Sequence, residues 1–299
     1  MKPARVLPFL LLLLPLAFTA RAESSGLPTL EKISRTATIS LGHRESSVPF
    51  SYYDGKRQVV GYSHDLMLAV VERIRRELKL PALTVKLVPV TSQNRIPLVQ
   101  NGTIDIECGS TTHNAERARQ AAFSNTIFII GTRLMTKKDS GIKDFSDLAG
   151  KNLVTTAGTT SERLVRKMND DKKLGMKIIS AKDHGEAFLT LETGRAVAFM
   201  MDDALLYGEM AKARKPTDWT VVGTPQSFEA YGCMMRKDDP GFKKVVDAAL
   251  AKAMTSGEAE AIYKKWFTQP IPPKGLNLNF PLSEAMQKLY KAPNDKAFE

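Results

Sequence analysis

The feature that most constrains the fold is a strand-and-helix alternation that starts twice along the chain. Short apolar segments suited to strands alternate with amphipathic segments suited to helices, and this order predicts an α/β sheet. The clearest strand candidates are 38–41, 84–90, 105–108 and 195–201, and the clearest helix candidates are 65–78 and 162–168. Toward the C-terminus, helices are expected at 241–254, around 258–267 and near 283–290, the last in a tail that wraps around the rest of the chain. After residues 144–151 the pattern begins again, with a strand at 153–156, Gly158, and a helix opening at Thr160 or Ser161. Two starts in 299 residues favour two domains over one.

The N-terminus has the three parts of a secretory signal. Lys2 and Arg5 precede an apolar run over residues 6–18, and Ala20 and Ala22 supply the small residues of a cleavage site. The apolar run is too short to span a bilayer of ~30 Å comfortably, which disfavours the alternative of a permanent membrane anchor. We expect cleavage after Ala22 and export of a soluble protein to the periplasm.

The sequence contains two cysteines, Cys108 and Cys233, and both lie in short apolar segments. Because an exported chain folds under oxidising conditions, we predict one disulfide between them, which would tie an early strand to a late one. The alternative is a pair of buried free thiols. Two cysteines and four scattered histidines lack the spacing of metal ligands, so no metal site is predicted.

The chain is basic, and its charge bears on its partners. The formal net charge is +11, and loss of Lys2, Arg5 and Arg21 with the signal leaves 11 − 3 = +8. Nucleic acid is a poor partner for an exported protein without interleaved aromatic and basic residues, whereas a dianionic small ligand or an acidic transporter surface fits. The alternative explanation for the charge is solubility alone.

One segment, residues 105–124, places hydroxyl groups and an arginine where a strand gives way to a helix. Gly109 permits a tight turn, and residues 110–112 supply hydroxyls and free backbone N–H groups at the junction. Arg117 follows, and its planar guanidinium can hold a carboxylate through two parallel hydrogen bonds. The alternative is a capped surface helix with a solvated arginine.

This segment resembles the carboxylate-binding turn of the periplasmic solute-binding proteins that serve ABC transporters for polar amino acids. Further segments resemble the members that bind glutamate and aspartate, and together they cover nearly the whole mature chain. They lie at 43–53, 91–97, 157–162, 180–185 and 199–204. The resemblance implies the type II periplasmic-binding-protein fold, in which two lobes, each a mixed sheet flanked by helices, are joined by a two-strand hinge.

The resemblance also implies lobe boundaries. Lobe 1 would combine residues 23–127 with 232–299, and lobe 2 would span 132–228. The two crossings would lie near 127–131 and 228–231. A cleft between two such sheets faces the strand ends, where open α/β sheets bind their ligands.

The ligand-binding set implied by the resemblance suits a dicarboxylic amino acid. Arg117 would bind the α-carboxylate with Thr112 and the turn at Ser110. Asp202 would bind the α-ammonium, which the Ser110 hydroxyl could share, and Asp203 is the second choice for this role. The groups expected at the side-chain carboxylate are Arg44, Ser92, Arg95, Thr160 and His184. Burial of two carboxylates and an ammonium requires opposite charges at three places, so glutamate or aspartate is expected over glutamine.

Each residue also has a simpler interpretation when taken alone. Arg44 and Arg95 would be surface residues by type, and His184 a turn residue with satisfied hydrogen bonds. Thr160 and Asp203 could instead be helix caps.

The expected function is that of a monomeric receptor for L-glutamate and L-aspartate, without a cofactor, which closes by lobe rotation and delivers its ligand to an inner-membrane ABC permease. One alternative is an enzyme on the same scaffold, with His184 and either Asp202 or Glu107 as acid and base. Arginines and hydroxyls suit the holding of carboxylates better than proton transfer, which disfavours that alternative. A ligand-sensing module of a membrane receptor is the other alternative.

Overall fold

The computed structural model of the protein describes residues 28–297. The predicted signal peptide, residues 1–22, lies outside the described residues. Strands and helices alternate through most of the described chain, and the predicted α/β class is confirmed. No helix within residues 28–297 is long and apolar enough to cross a membrane.

The strands alternate with the helices in chain order. The strands are β1 (Thr38–His43), β2 (Ser46–Ser47), β3 (Ser51–Tyr53), β4 (Val59–Val60), β5 (Thr84–Pro89), β6 (Ile106–Glu107), β7 (Ala122–Lys137), β8 (Asn152–Thr156), β9 (Lys177–Ala181), β10 (Ala198–Asp202), β11 (Trp219–Val222), β12 (Phe228–Met235), β13 (Pro270–Ile271) and β14 (Leu276–Asn277). The helices are α1 (Thr29–Thr36), α2 (Tyr62–Glu77), α3 (Arg95–Gln100), α4 (Ala115–Ala118), α5 (Thr160–Asp171), α6 (His184–Glu192), α7 (Asp203–Lys212), α8 (Pro240–Thr255), α9 (Glu258–Phe267) and α10 (Glu284–Lys291).

One long strand, β7, joins two groups of strands in the main sheet. The sheet has the order β5-β1-β6-β12-β7-β10-β8-β9, and β11 also pairs with β7. From Ala122 to Gly131, β7 pairs antiparallel with β12. From Thr132 onward its partners are β10 and β11. The change of partners between Gly131 and Thr132 therefore separates one strand group, β5-β1-β6-β12, from the other, β10-β8-β9 with β11.

Parallel pairing brings the carboxyl ends of several strands to the middle of the molecule. Within the first group β1 lies between β5 and β6, parallel to both, and its carboxyl end leads to Arg44. Within the second group β8 pairs in parallel with both β9 and β10. The predicted ligand-binding residues lie after β1, β5, β6, β8 and β9 or, for Asp202, at the end of β10. Carboxyl ends of parallel strands meet at one edge of a sheet, where open α/β sheets bind their ligands.

Two predicted elements start three residues away from their observed first residues. The strand expected over 195–201 begins at Ala198, because the backbone N–H groups of Arg195 and Ala196 still bond the Thr190 carbonyl at the end of α6, at 3.1 and 3.4 Å. The helix expected over 65–78 begins at Tyr62, directly after Gly61. Gly61 has a φ of +133°, and an added Cβ would overlap the Phe50 backbone, so only glycine fits this entry.

The C-terminal segment packs back against the first strand group. The Tyr290 hydroxyl of α10 lies 2.8 Å from that of Tyr62 in α2, and the backbone N–H of Thr126 in β7 donates to the Asn294 carbonyl at 2.8 Å. Both tyrosines are buried in the main apolar core. The tail therefore wraps around the sheet as expected from the sequence.

Candidate ligand-binding site

A disulfide anchors the turn that carries much of the site. Cys108 and Cys233 are bonded, with an S–S distance of 2.09 Å, which confirms the predicted pairing. Cys108 directly follows β6 and Cys233 lies in β12, which neighbours β6 in the sheet. The turn at residues 109–112 is thereby fixed to the strand that runs back from the second strand group.

Arg117 is buried rather than solvated, with 4% of its surface exposed. The helix that carries it, α4, has only four residues and is capped by Asn114, whose side-chain oxygen accepts from the Arg117 N–H. The guanidinium donates to two backbone carbonyls, Thr112 at 3.1 Å and Gly158 at 3.2 Å. Burial, the nearby charge of Arg95 and that of Arg163 lower the pKa of Arg117 to about 9. Such a group gains from an anionic partner.

Arg44 and Arg95 lie side by side in the interior, each with 1% of its surface exposed. Neither terminal nitrogen of Arg44 has a hydrogen-bond partner among the described residues, and the same holds for Nε of Arg95. Burial and the charge of Arg95 lower the pKa of Arg44 to about 10, and burial lowers that of Arg95. Two buried guanidiniums with free donors are unfavourable unless an anion joins them.

His184 adds a neutral donor beside these arginines. It is the first residue of α6 and is buried, and its Nδ1 lies 2.8 Å from the Thr156 hydroxyl. Burial, followed by the charges of Arg44 and Arg95, holds the pKa of His184 well below its usual value. When Nδ1 of the neutral ring accepts from the Thr156 hydroxyl, the ring proton lies on Nε2. Nε2 has no partner within the described chain, so in that tautomer it can donate to a ligand oxygen.

Asp202 is the acidic member of the set and is 2% exposed at the end of β10. Its carboxylate accepts hydrogen bonds from the Thr132 hydroxyl at 3.1 Å and from the Tyr231 hydroxyl. Burial and the nearby Glu229 carboxylate raise the pKa of Asp202 to about 8. The site therefore contains one carboxyl group that gains from a cation placed beside it.

The helix-cap interpretations of Thr160 and Asp203 are wrong. Thr159 caps α5, since its hydroxyl accepts from the Glu162 N–H at 3.1 Å. The Thr160 hydroxyl instead donates to Glu229 at 3.1 Å and lies 3.5 Å from the Thr112 hydroxyl. Asp203 is the first residue of α7 and follows the N-cap position, which Asp202 occupies.

Contacts across the two strand groups join several of the predicted residues. Besides the Arg117–Gly158 and Thr112–Thr160 contacts, the Gly185 N–H donates to the Ser46 hydroxyl at 3.3 Å. Gly158 has a φ of +76°, and an added Cβ would lie 2.8–3.0 Å from Gln93. Ser92 and Ser110 are also buried, and the hydroxyl of each lacks a hydrogen-bond partner among residues 28–297.

Sequence reasoning missed the residues that support this set from behind. Glu229 and Tyr231 lie in β12, and the sequence pattern predicts no role for them beyond that of strand residues. Thr111 is predicted only as a member of the turn at residues 110–112. Glu107 was considered only as a possible proton-transfer group of an enzyme. The available signal was a charged residue inside an otherwise apolar strand, which is uncommon unless the charge is paired. No cluster of three or more potential metal ligands occurs in the described part of the chain.

Comparison with known proteins identifies the family. Residues 39–269 match the model of the bacterial extracellular solute-binding proteins, family 3. The chain is 67% identical over 272 residues to the L-glutamate/L-aspartate-binding protein of Pseudomonas aeruginosa, a match covering 91% of this chain and 90% of that protein. It is 60% identical to the glutamate/aspartate import solute-binding protein of Escherichia coli K12, covering 99% and 98% of the two chains.

A solved structure agrees on the fold. An ancestral arginine-binding protein bound to arginine superposes with a TM-score of 0.69 at 30% identity, covering 77% of this chain and 98% of that one. The predicted type II periplasmic-binding-protein fold is confirmed. The chain belongs to the bacterial extracellular solute-binding proteins of family 3.

Proposed function

We propose that this protein is the periplasmic receptor that binds L-glutamate and L-aspartate and delivers them to an ABC transporter permease for uptake. It acts as a monomer and performs no chemistry on its ligand. The family membership and the names of the Pseudomonas and Escherichia relatives support this function. The observation that carries it in this chain is the set of buried side-chain nitrogens of Arg44, Arg95 and His184 that have no hydrogen-bond partner among residues 28–297.

The charges of the site suit a dicarboxylic amino acid. We assign the side-chain carboxylate to Arg44, Ser92, Arg95, Thr160 and His184, and the α-carboxylate to Arg117, Thr112 and Ser110. The α-ammonium is assigned to Asp202. Glutamine would leave at least one buried guanidinium without its anion, a loss of ~1–3 kcal/mol or more. Acidic ligands should therefore be preferred.

Closure follows from where these residues lie. We propose residues 23–127 with 232–299 as lobe 1, 132–228 as lobe 2, and the segments near 127–131 and 228–231 as the hinge. The change of strand partners between Gly131 and Thr132 supports a crossing there. Because one small ligand would contact residues of both lobes, its binding favours the closed arrangement over the open one.

The test is calorimetric titration of mature protein that has been unfolded, stripped of ligand and refolded. The ligands are L-glutamate, L-aspartate, L-glutamine and L-arginine, and the variants are Arg95→Ala and Arg73→Ala. Arg73 is a partly exposed arginine of α2 paired with Glu77, so its removal controls for the loss of one positive charge. We expect strong binding of the two acidic amino acids, weak binding of glutamine, and a loss of at least about thirtyfold for Arg95→Ala only.

Tighter binding of glutamine or arginine by the unmodified protein would refute the dicarboxylate assignment. Equal losses in the two variants would show that general charge, rather than the guanidinium of Arg95, accounts for the preference.

A further inference from the structure

A second buried carboxylate lies behind the two arginines of the side-chain subsite. Glu107 is the last residue of β6, pairs with Gly42 of β1 and Met234 of β12, and is fully buried. Its Oε2 accepts a hydrogen bond from the Thr111 hydroxyl at 2.7 Å. The same hydroxyl oxygen accepts from Nη1 of Arg95. One hydroxyl group therefore links the Glu107 carboxylate to the Arg95 guanidinium.

Two glycines provide the space for this carboxylate. An added Cβ at Gly109 would lie 2.5 Å from Glu107 Oε1 and 3.1 Å from Arg44 Cγ, so the carboxylate and the stem of Arg44 approach each other there. An added Cβ at Gly42 would lie 3.1 Å from the Cβ of Glu107. A larger residue at Gly109 would displace the Glu107 carboxylate, and one at Gly42 would press on Ile104 first and on Glu107 next.

Glu107 acts on the arginines through its charge rather than as a direct ion pair. Among the nearby charges that raise the pKa of Arg44 and of Arg95, Glu107 has the largest effect. It also raises the pKa of Arg117. Within residues 28–297, no ion pair of 4 Å or less includes Glu107. The terminal nitrogens of Arg44 therefore remain available to a ligand, while the Glu107 carboxylate partly balances their charge.

The charges near this subsite can be added. Arg44 and Arg95 contribute two positive charges, Glu107 one negative charge, and the neutral His184 none. Asp183 also acts on Arg44, but it is only half-buried and caps α6, so solvent screens it more strongly. Asp202 acts on Arg95, but under our assignment the ligand ammonium balances its charge. The remainder is about one positive charge, which matches one ligand carboxylate.

We propose that Glu107 is a specificity-determining residue that limits the side-chain subsite to ligand groups carrying a single negative charge. This inference rests on the proposed function, which assigns Arg44 and Arg95 to the side-chain carboxylate. A group with two negative charges leaves one of them unbalanced beside the buried Glu107 carboxylate. Without the charge of Glu107, the same pair of arginines accommodates a dianionic group.

Two glutamate analogues separate charge from shape. L-homocysteate has a tetrahedral sulfonate with one negative charge, and L-2-amino-4-phosphonobutyrate has a tetrahedral phosphonate with two negative charges above its second pKa. Binding of both, and of L-glutamate, is measured by calorimetry at a pH above that value. The quantity of interest is the affinity for the phosphonate divided by the affinity for the sulfonate.

Two variants separate the charge of Glu107 from its hydrogen bond. Glu107→Gln keeps an oxygen that accepts from Thr111 but removes the charge, whereas Thr111→Val removes the hydrogen bonds and keeps the charge. We expect the phosphonate-to-sulfonate ratio to rise at least about tenfold in Glu107→Gln, equivalent to about 1.4 kcal/mol. Thr111→Val should weaken both ligands and leave the ratio within about a factor of three, because charge balance is unchanged.

Three results separate the possible failures. A folded Glu107→Gln variant, checked by thermal unfolding, with an unchanged ratio overturns the inference. Tighter binding of the phosphonate than of the sulfonate by the unmodified protein overturns it as well, and this measurement needs no variant. An unmodified protein that binds another amino acid but not L-glutamate refutes the proposed function, and the inference falls with it.

Discussion

Binding of the ligand should release a proton from Asp202. The carboxyl group is buried beside Glu229, and these two causes raise its pKa to about 8, although hydrogen bonds from Tyr231 and Thr132 oppose the rise. Under our assignment the ligand ammonium lies against this carboxyl group. A cation at that place favours the ionised form and lowers the pKa of Asp202 in the complex.

The sign and size of the effect follow from this shift. Below a pH of about 8 the ligand-free site holds its proton, and binding must expel it, at a cost of about 1.4 kcal/mol for each pH unit below that value. Affinity should therefore fall up to about tenfold per unit as the pH drops from about 8 to about 6. Above about 8 the carboxyl group is already ionised, so the affinity should level off until the ligand ammonium itself loses its proton.

Calorimetry in buffers with different ionisation enthalpies measures both the affinity and the number of protons released. We expect a release approaching about one proton at the acidic end of this range. Glu229→Gln is the informative variant, since it removes the second cause of the shift and should move the onset of the pH dependence to lower pH. An affinity that stays constant across the whole range, with no proton release, would refute the reasoning.

Three further changes should alter binding or stability in defined ways. Arg117→Lys should weaken L-glutamate at least about tenfold by calorimetry, because an ammonium cannot form two parallel bonds to one carboxylate. Gly208→Ala should weaken binding and reduce ligand-induced compaction in small-angle scattering. An added Cβ on Gly208 of lobe 2 would overlap the Val48 carbonyl of lobe 1 and hinder closure of the two lobes. Replacing both Cys108 and Cys233 by serine should lower the free energy of urea unfolding by about 2–5 kcal/mol, because 125 residues separate the bonded cysteines.

Matched controls exist for the two binding predictions. Arg163→Lys changes an exposed arginine, paired with Glu116, and should leave the affinity nearly unchanged. Gly185→Ala is the control for Gly208→Ala. Gly185 also lies where lobe 2 contacts lobe 1, but an added Cβ there would have only ordinary contacts at 3.4 Å or more. Normal binding by Gly208→Ala would contradict the steric argument. Equal stability with and without the two cysteines would contradict the expected role of the disulfide.

The C-terminal helices were predictable because local chemistry marks their ends. The predicted helices at 241–254, 258–267 and 283–290 differ by at most one residue at either end from α8, α9 and α10. Asp239 and Ser283 cap the first and last of these helices through side-chain hydrogen bonds, and Gly257, with a φ of +86°, separates the first two. Signals of this kind depend only on neighbouring residues, so a sequence displays them.

The first residue of an element is harder to predict from the sequence when contacts with distant residues determine it. The beginning of α2 at Tyr62 is set by the Tyr62 N–H bonding the Pro49 carbonyl at 2.8 Å and by the fit of Gly61 against Phe50. Nothing in residues 62–64 alone announces a helix, and the apolar periodicity becomes clear only after Asp65. The interaction that fixes the boundary lies in the preceding hairpin, which local propensity does not describe.

The same distinction explains which parts of the site the sequence could suggest. Arg44 and Asp202 lie at strand ends, where polar residues stand out after an apolar run, and Arg117 lies in the short helix α4 just after the turn that follows β6. Glu229 lies within a strand, and its function depends on register: the Ser227 hydroxyl donates to it at 2.8 Å and also lies 2.7 Å from the Thr132 hydroxyl that bonds Asp202.

Those contacts join residues that are 70 and 95 positions apart in the chain. They exist only because β12 pairs with β7 so that Phe228 faces Gly131, beside the point where β7 changes its partners. A register shifted by one residue would turn Glu229 to the opposite face of the sheet and remove its charge from Asp202. Burial is the main cause of the raised pKa of Asp202, but the part that Glu229 adds depends on strand pairing. The change in pH dependence on Glu229→Gln therefore tests that register, and the pH dependence itself tests the assignment of the ammonium.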